Sequence, residues 1–127
     1  MTTRTDALAA AAAYFDDGAF FADLQRRIPF RTESDPGAAT PALEAYLRDE
    51  LMPPLEALGF ACEVIANPVV GGGPFLIARR IEGATVPTLL SYGHGDVVSG
   101  QDPHWAEGLG PWSLTVRGDR WYGRGTA

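Results

Sequence analysis

The sequence predicts an α/β fold in which helices pack on a mixed β-sheet. In the first half of the chain, apolar residues recur at the spacing of amphipathic helices. After Gly59 the pattern changes to short apolar runs that glycine and proline separate, which is typical of strands. The length of 127 residues and the 46% hydrophobic content fit one ordinary domain or part of a larger one.

Two helices are predicted at the start of the chain. The pattern is helical from about residue 5 to Ile28, and Asp16-Asp17-Gly18 divides it into two pieces. Pro29 is expected to end the second piece. Residues 31–40 are polar and contain proline and glycine, which indicates a loop.

A further helix is predicted after this loop. Thr40 is suited to cap the helix and Pro41 to occupy its first position. Pro53-Pro54 should kink or break the helix, with its last turn directly before Gly59. One apolar stripe of this helix consists of Leu43, Leu47 and Leu51.

Strand patterns occupy the second half of the chain. Residues 60–65 and 75–79 read as two strands, and the glycine run between them reads as a hairpin connection. Residues 86–92 are continuously apolar at their centre, which predicts an interior strand. Residues 114–122 form two short strand-like pieces around Gly118-Asp119, a pattern typical of a hairpin.

The charged residues exclude several classes of function. The ten basic residues are all arginine, so a Schiff-base lysine and the lysine of a phosphate-binding loop are ruled out for this chain. The net charge is -6, and the largest basic clusters are the pairs Arg26-Arg27 and Arg79-Arg80. This balance argues against nucleic acid as a partner, because nucleic-acid surfaces are basic.

Cysteine content and hydropathy give expectations about compartment. Cys62 is the one cysteine, so it cannot form an internal disulfide, and its apolar neighbours favour a small buried residue. A reducing cytoplasm fits this content. No apolar run approaches the roughly 18 residues of a membrane span, so we expect no membrane partner.

A histidine and a carboxylate lie two residues apart where the predicted interior strand ends. His94 and Asp96 alternate with Gly93 and Gly95, and ligands commonly collect at such strand ends. In extended backbone the two side chains face the same side, so Asp96 could accept a hydrogen bond from the imidazole. The spacing alone favours a structural pair, in which a strand-end histidine contacts a turn aspartate.

The longer stretch of residues 89–127 adds to this pattern. In order along the chain, this stretch contains Gly93-His94-Gly95-Asp96-Val97-Val98, Trp105, Pro111-Trp112, the hydrophobic hairpin with Trp121, and Tyr122-Gly123-Arg124-Gly125. These elements resemble the amino-terminal signature of the M20 family of zinc-dependent amidohydrolases and peptidases, which includes aminoacylases, deacylases and carboxypeptidases. The upstream helix is compatible with the family but less specific.

The resemblance implies a role for each residue of the pair. It makes His94 a ligand of the first of two zinc ions and Asp96 the catalytic-site acid that orients the imidazole ring. The implied reaction is metal-assisted hydrolysis of an amide bond in a small peptide or an N-acyl amino acid. No substrate-binding residue is assigned by it.

The resemblance also implies a division into domains. Residues 1–127 correspond to the amino-terminal part of the catalytic domain, and the family's bridging aspartate is expected immediately after Ala127. The other ligands, the general base and an inserted domain that supports homodimers belong to later parts of the family's sequence. We therefore expect residues 1–127 alone to be inactive.

Several alternatives stay open on the sequence. A non-catalytic binding or assembly protein could use the same scaffold, and Ser91 could serve a serine hydrolase, although no nucleophile-elbow motif surrounds it. His104 lies in a polar turn and matches no ligand position of the family. Arg124 could bind a carboxylate or form an ion pair within its loop. The clustered aromatic residues, which could line a cleft or fill a core, are Trp105, Trp112, Trp121 and Tyr122.

Overall fold

A computed structural model describes residues 3–35 and 41–126 of the chain. The chain divides into two compact units, one within residues 1–29 and 101–127 and the other within residues 30–100. Each unit is built from elements that local sequence patterns favour.

In the first unit, two helices follow each other closely. Helix α1 spans Arg4–Asp16 and helix α2 spans Ala19–Arg27, as the sequence predicts. Thr3 and Asp6 form a reciprocal cap at the start of α1, in which each side chain accepts a hydrogen bond from the other's backbone N–H. Gly18 lies between the helices in the left-handed region at φ 80°, which is favourable for glycine and ends α1.

The two helices are joined by side chains around Asp23. The Tyr14 hydroxyl donates to the Asp23 carboxylate, which Arg26 and Arg27 also approach at 2.8 and 3.3 Å. The hydrogen bond from Tyr14 lowers the pKa of Asp23, and the same bond raises the pKa of Tyr14. This cluster ties the end of α1 to the middle of α2.

The first unit also contains the predicted hairpin. Strands β3 (Thr115–Arg117) and β4 (Arg120–Tyr122), numbered in chain order after two strands of the second unit, pair antiparallel. Trp121 of β4 packs on three phenylalanines, with ring centroids 5.6, 6.0 and 5.1 Å away for Phe15, Phe20 and Phe21. The helices and the hairpin therefore share an aromatic cluster.

A second apolar contact lies beside this cluster. Ile28 is only 4% exposed, and it packs against the backbone of Gly123. A Cβ atom at position 123 would lie 3.0 Å from Ile28 Cδ1, so a larger residue there would press on the isoleucine. The Tyr-Gly-Arg-Gly segment is thus held against the end of α2.

The second unit contains a helix whose winding changes along its length. Helix α3 (Pro41–Ala45) continues into a π-helical segment (Tyr46–Leu51) and then into helix α4 (Met52–Ala57). Pro41 is the first residue of this helix that the structure describes, whereas Thr40, the predicted cap, lies outside the described residues. The helix does not break at Pro53 and Pro54, because the π-helical segment places them in the first turn of α4, where proline is tolerated.

An antiparallel pair of strands follows the helix. Strand β1 spans Ala61–Ile65 and strand β2 spans Phe75–Arg79, with Glu63 opposite Ile77. The predicted connection is present: Asn67 donates to the Gly73 carbonyl at 3.0 Å and holds the loop closed. Helix α4 contacts β1, so a helix packs on this sheet.

The prediction of an interior strand at residues 86–92 is wrong. This segment is not a strand, and Leu89, Leu90 and Tyr92 are 90%, 93% and 89% exposed. An interior strand needs a hydrogen-bonded neighbour on each side. Each sheet within residues 3–35 and 41–126 has two strands, and neither sheet includes this segment.

The combination of helices and strands confirms the predicted α/β class. Both sheets of the described residues are antiparallel hairpins, so these residues do not form the mixed sheet that the sequence predicts. Within the same residues, no helix has the length and apolar character that a membrane crossing requires.

The turn at the end of α4 gives a prediction about stability. Gly59 has φ +84°, a conformation that costs an L-residue about 1 kcal/mol, and no other atom lies near its missing Cβ. We expect Gly59→Ala to lower the free energy of unfolding by about 1 kcal/mol in urea titrations. Gly83→Ala is the matched control, because that site is equally open without a positive φ. Equal losses for both variants would contradict this explanation.

Candidate functional site

His94 and Asp96 contact each other, as their spacing predicts. His94 Nδ1 lies 3.3 Å from Asp96 Oδ1 and 3.0 Å from the Asp96 carbonyl oxygen. A carboxylate and a carbonyl oxygen can only accept hydrogen bonds, so Nδ1 carries a proton in this arrangement. The lone pair of the neutral ring is then on Nε2. The 68% exposed His94 side chain keeps the imidazole accessible to a ligand.

The backbone that follows this pair is held by the segment after α2. The Val97 N–H donates to the Thr32 carbonyl at 2.9 Å, and the Ser34 N–H donates to the Val97 carbonyl at 3.0 Å. Glu33 accepts a hydrogen bond from the Gly100 N–H at 2.7 Å. The two backbone bonds make a short parallel bridge between Glu33 and Val97, so part of the predicted polar loop is a structural support of the site.

Gly95, between the two site residues, is contacted from two directions. The Thr32 hydroxyl donates to its carbonyl oxygen at 2.7 Å. The Tyr46 ring lies so close that a Cβ atom at position 95 would be 2.8 Å from Tyr46 Cε1. Phe30 packs edge-on against the same ring, with centroids 5.4 Å apart. The spacing argument identified His94 and Asp96 but neither Thr32 nor Tyr46.

A cavity of about 680 Å³ borders the pair within the unit of residues 30–100. His94, Asp96 and Ser91 line it, together with Asn67. The predicted leucine stripe of Leu43, Leu47 and Leu51 also faces this cavity. The pair therefore lies at a concave surface that has both polar and apolar walls, as ligand sites commonly do.

The donor chemistry of the pair fits one ligand of a zinc site. A histidine that binds metal through one ring nitrogen usually donates the other N–H to a carboxylate or a carbonyl, which is the arrangement seen here. Zinc sites use three or four protein ligands, however, and residues 3–35 and 41–126 contain no group of three such side chains. The described residues supply one ligand and its orienting group, not a complete site.

The structure also locates three other residues considered in the sequence analysis, namely His104, Ser91 and Cys62. His104 is exposed in a short 3₁₀ turn (Asp102–His104), as expected for a loop histidine. Within the described part of the chain, no hydrogen bond joins Ser91 to His94. Cys62 is half-buried in β1, and desolvation raises the pKa of its thiol.

The aromatic residues of the signature lie mainly in contacts within the first unit. The Trp112 indole N–H donates to Asp102 at 3.3 Å. The guanidinium carbon of Arg124 lies 5.5 Å from the centroid of the Trp105 ring, a cation–π distance. Together with the Trp121 cluster, these contacts favour a structural role for the aromatic residues.

Comparison with known proteins gives one relative of stated activity. The chain is 39% identical over 74 residues to the cysteinylglycine-S-conjugate dipeptidase of Corynebacterium striatum. The match covers 58% of this chain and 15% of that protein, so the chain spans a small part of its relative's length. No protein-family model and no solved structure matches the chain. By its name, that relative is a dipeptidase.

Proposed function

We propose that this chain is the amino-terminal part of the catalytic domain of a zinc-dependent peptidase of the M20 family. The observation that carries the proposal is the contact of His94 Nδ1 with two acceptors of Asp96, which leaves Nε2 for a metal. The similarity to a dipeptidase supports the hydrolysis of peptides in this proposal. The substrate is then a small peptide, with N-acyl amino acids as the second class of amide.

In this proposal the two residues have different tasks. His94 binds zinc through Nε2, and Asp96 fixes the orientation of the ring and its protonated Nδ1. Zinc, when bound, supplies an activated water and polarises the amide carbonyl. The remaining ligands and the general base come from other parts of the protein. Dimerisation through a further domain and a cytoplasmic location belong to the same proposal.

Metal removal tests the proposal on the complete natural protein. We expect it to hydrolyse dipeptides, to lose this activity after dialysis against a chelator, and to regain it when zinc is added. The assay should include N-acyl amino acids, because the two amide classes separate a dipeptidase from a deacylase.

Ser91→Ala is the control variant for this experiment, since Ser91 lines the same cavity and has no role in the proposed chemistry. Its activity and chelator sensitivity should match those of the parent. Hydrolysis that survives the chelator but disappears in Ser91→Ala would support a serine hydrolase instead. A protein that binds peptides without cleaving them would support a non-catalytic role.

A further inference from the structure

We propose that Thr32 is a positioning residue that holds Asp96 in place against His94. The catalytic consequence of this proposal rests on the proposed function, whereas its structural part does not. Thr32 lies 63 residues before Gly95 in sequence and touches neither a substrate nor a metal in the proposal. It acts through the backbone on both sides of Asp96.

Thr32 binds both peptide groups that flank Asp96. Its hydroxyl donates to the Gly95 carbonyl at 2.7 Å, which fixes the peptide group before Asp96. Its own carbonyl accepts from the Val97 N–H at 2.9 Å, which fixes the peptide group after Asp96. These two groups determine the φ and ψ angles of Asp96, so a single residue restrains the direction in which the carboxylate leaves the backbone.

The burial of Thr32 makes this restraint effective. Thr32 is 3% exposed, so water cannot readily replace its hydroxyl as the partner of the Gly95 carbonyl. The His94 and Asp96 side chains, in contrast, are 68% and 43% exposed, and water competes for their contact. The orientation of an exposed pair thus depends on a buried hydrogen bond next to it.

Tyr46 restrains the same peptide from another direction. Its ring occupies the space where a side chain of residue 95 would lie, and Phe30 supports the ring. Tyr46 is the first residue of the π-helical segment, and such segments are frequent at functional sites. The Gly95 peptide therefore has little room to rotate while Thr32 holds its carbonyl.

The position of the imidazole proton reports whether Asp96 is held. With Asp96 in place, both acceptors favour the Nδ1–H tautomer of His94. Without the Thr32 hydroxyl, the Gly95 carbonyl loses its buried partner and the Asp96 peptide can turn. His94 should then revert to the Nε2–H tautomer, which free imidazole side chains prefer in water.

The experiment measures this tautomer by NMR in the metal-free complete protein with ¹⁵N-labelled histidine, at about pH 9, where imidazole is neutral. The His94 signal is assigned by its loss in His94→Gln. Thr32→Val removes the hydroxyl and keeps the side-chain shape, whereas Thr32→Ser keeps the hydroxyl. Ser34→Ala is the matched control, because Ser34 Oγ makes only a 3.5 Å contact to the Val97 carbonyl in the same bridge.

We expect the Nδ1–H tautomer in the parent, Thr32→Ser and Ser34→Ala, and mainly the Nε2–H tautomer in Thr32→Val. If the proposed function holds, Thr32→Val should also lower zinc affinity or kcat about tenfold. This is the lower end of the effect expected when a residue that supports a metal ligand is lost. Thr32→Ser should keep the zinc affinity and kcat of the parent. An unchanged KM would show that Thr32→Val affects the metal site and not substrate binding.

A folded Thr32→Val protein that keeps the Nδ1–H tautomer would overturn the proposal. If circular dichroism shows that Thr32→Val does not fold, Thr32→Ala, which also lacks the hydroxyl but avoids a buried extra methyl group, is measured under the same criterion. The tautomer shift without any hydrolase activity would support the role of Thr32 and refute the proposed function. Failure of the Thr32 proposal and failure of the proposed function are therefore distinguishable.

Discussion

Replacement of His94 by alanine is expected to remove one metal ion and nearly all hydrolytic activity from the complete protein. In the proposed function, this imidazole is a direct ligand, and alanine supplies no donor atom in its place. The loss should exceed the 10 to 100-fold effect that is usual for a residue supporting a ligand. Metal content by mass spectrometry and turnover of a dipeptide measure both effects.

Asp96→Asn separates the orienting role from the ligand role. The asparagine retains the size of the side chain but replaces an anionic acceptor with an amide. We expect the fold to persist, some metal to remain, and affinity or rate to fall about 10 to 100-fold. A loss as complete as that of His94→Ala would instead indicate that Asp96 binds metal directly.

His104→Ala is the control for both variants, because it removes the other imidazole of the chain from an exposed turn. Metal content and turnover should stay at the parental level. If His104→Ala strips the metal while His94→Ala leaves it in place, the assignment of the site to residues 94–96 is wrong. The resemblance to the M20 family would then be misleading at this position.

Trp121→Ala is expected to produce the largest loss of stability in the first unit. The indole contacts the rings of Phe15, Phe20 and Phe21, so its removal leaves an aromatic cluster without its centre. Fully buried tryptophans cost about 3–5 kcal/mol on truncation. Because Trp121 is only half-buried, we expect about 2–3 kcal/mol in the free energy of unfolding, measured by urea titration.

Leu8→Ala on α1 is the matched truncation of an apolar residue. Leu8 is 60% exposed, and surface substitutions of this kind usually change stability by less than about 0.5 kcal/mol. A similar loss for Leu8→Ala and Trp121→Ala would show that the aromatic cluster is not what stabilises this unit.

The elements that the sequence predicts correctly depend on local signals. The division of α1 from α2 follows from Asp16-Asp17-Gly18, and the strand pairs follow from apolar runs around glycine-rich turns. The contact between His94 and Asp96 also follows from local geometry, since the two residues are two apart. Each of these features is determined by residues that lie close to it in the sequence.

The features that the sequence does not predict depend on distant partners. Residues 86–92 have the composition of an interior strand, but composition does not supply the neighbouring strands that such a segment needs. Thr32 looks like any threonine in a polar loop, and the sequence gives no sign of its hydrogen bond to Gly95, which lies 63 positions away. Tyr46 likewise belongs to a helical pattern, and only folding brings its ring against Gly95.

The hydrogen bond between Tyr14 and Asp23 links the stability of the α1–α2 pair to proton binding at both ends of the pH scale. The pKa of Asp23 is held below its ordinary value of 3.8, so the folded state binds fewer protons there than the unfolded chain does. This contribution is present above that value and is lost as the pH falls through the lowered pKa.

For Tyr14 the sign is reversed, because its pKa is raised above the ordinary value of 10.0. Its contribution is complete below pH 10.0 and is lost as the pH rises through the raised pKa. One hydrogen bond thus contributes to the stability of the helix pair within a pH range that a carboxyl group bounds on the acid side and a phenol bounds on the alkaline side.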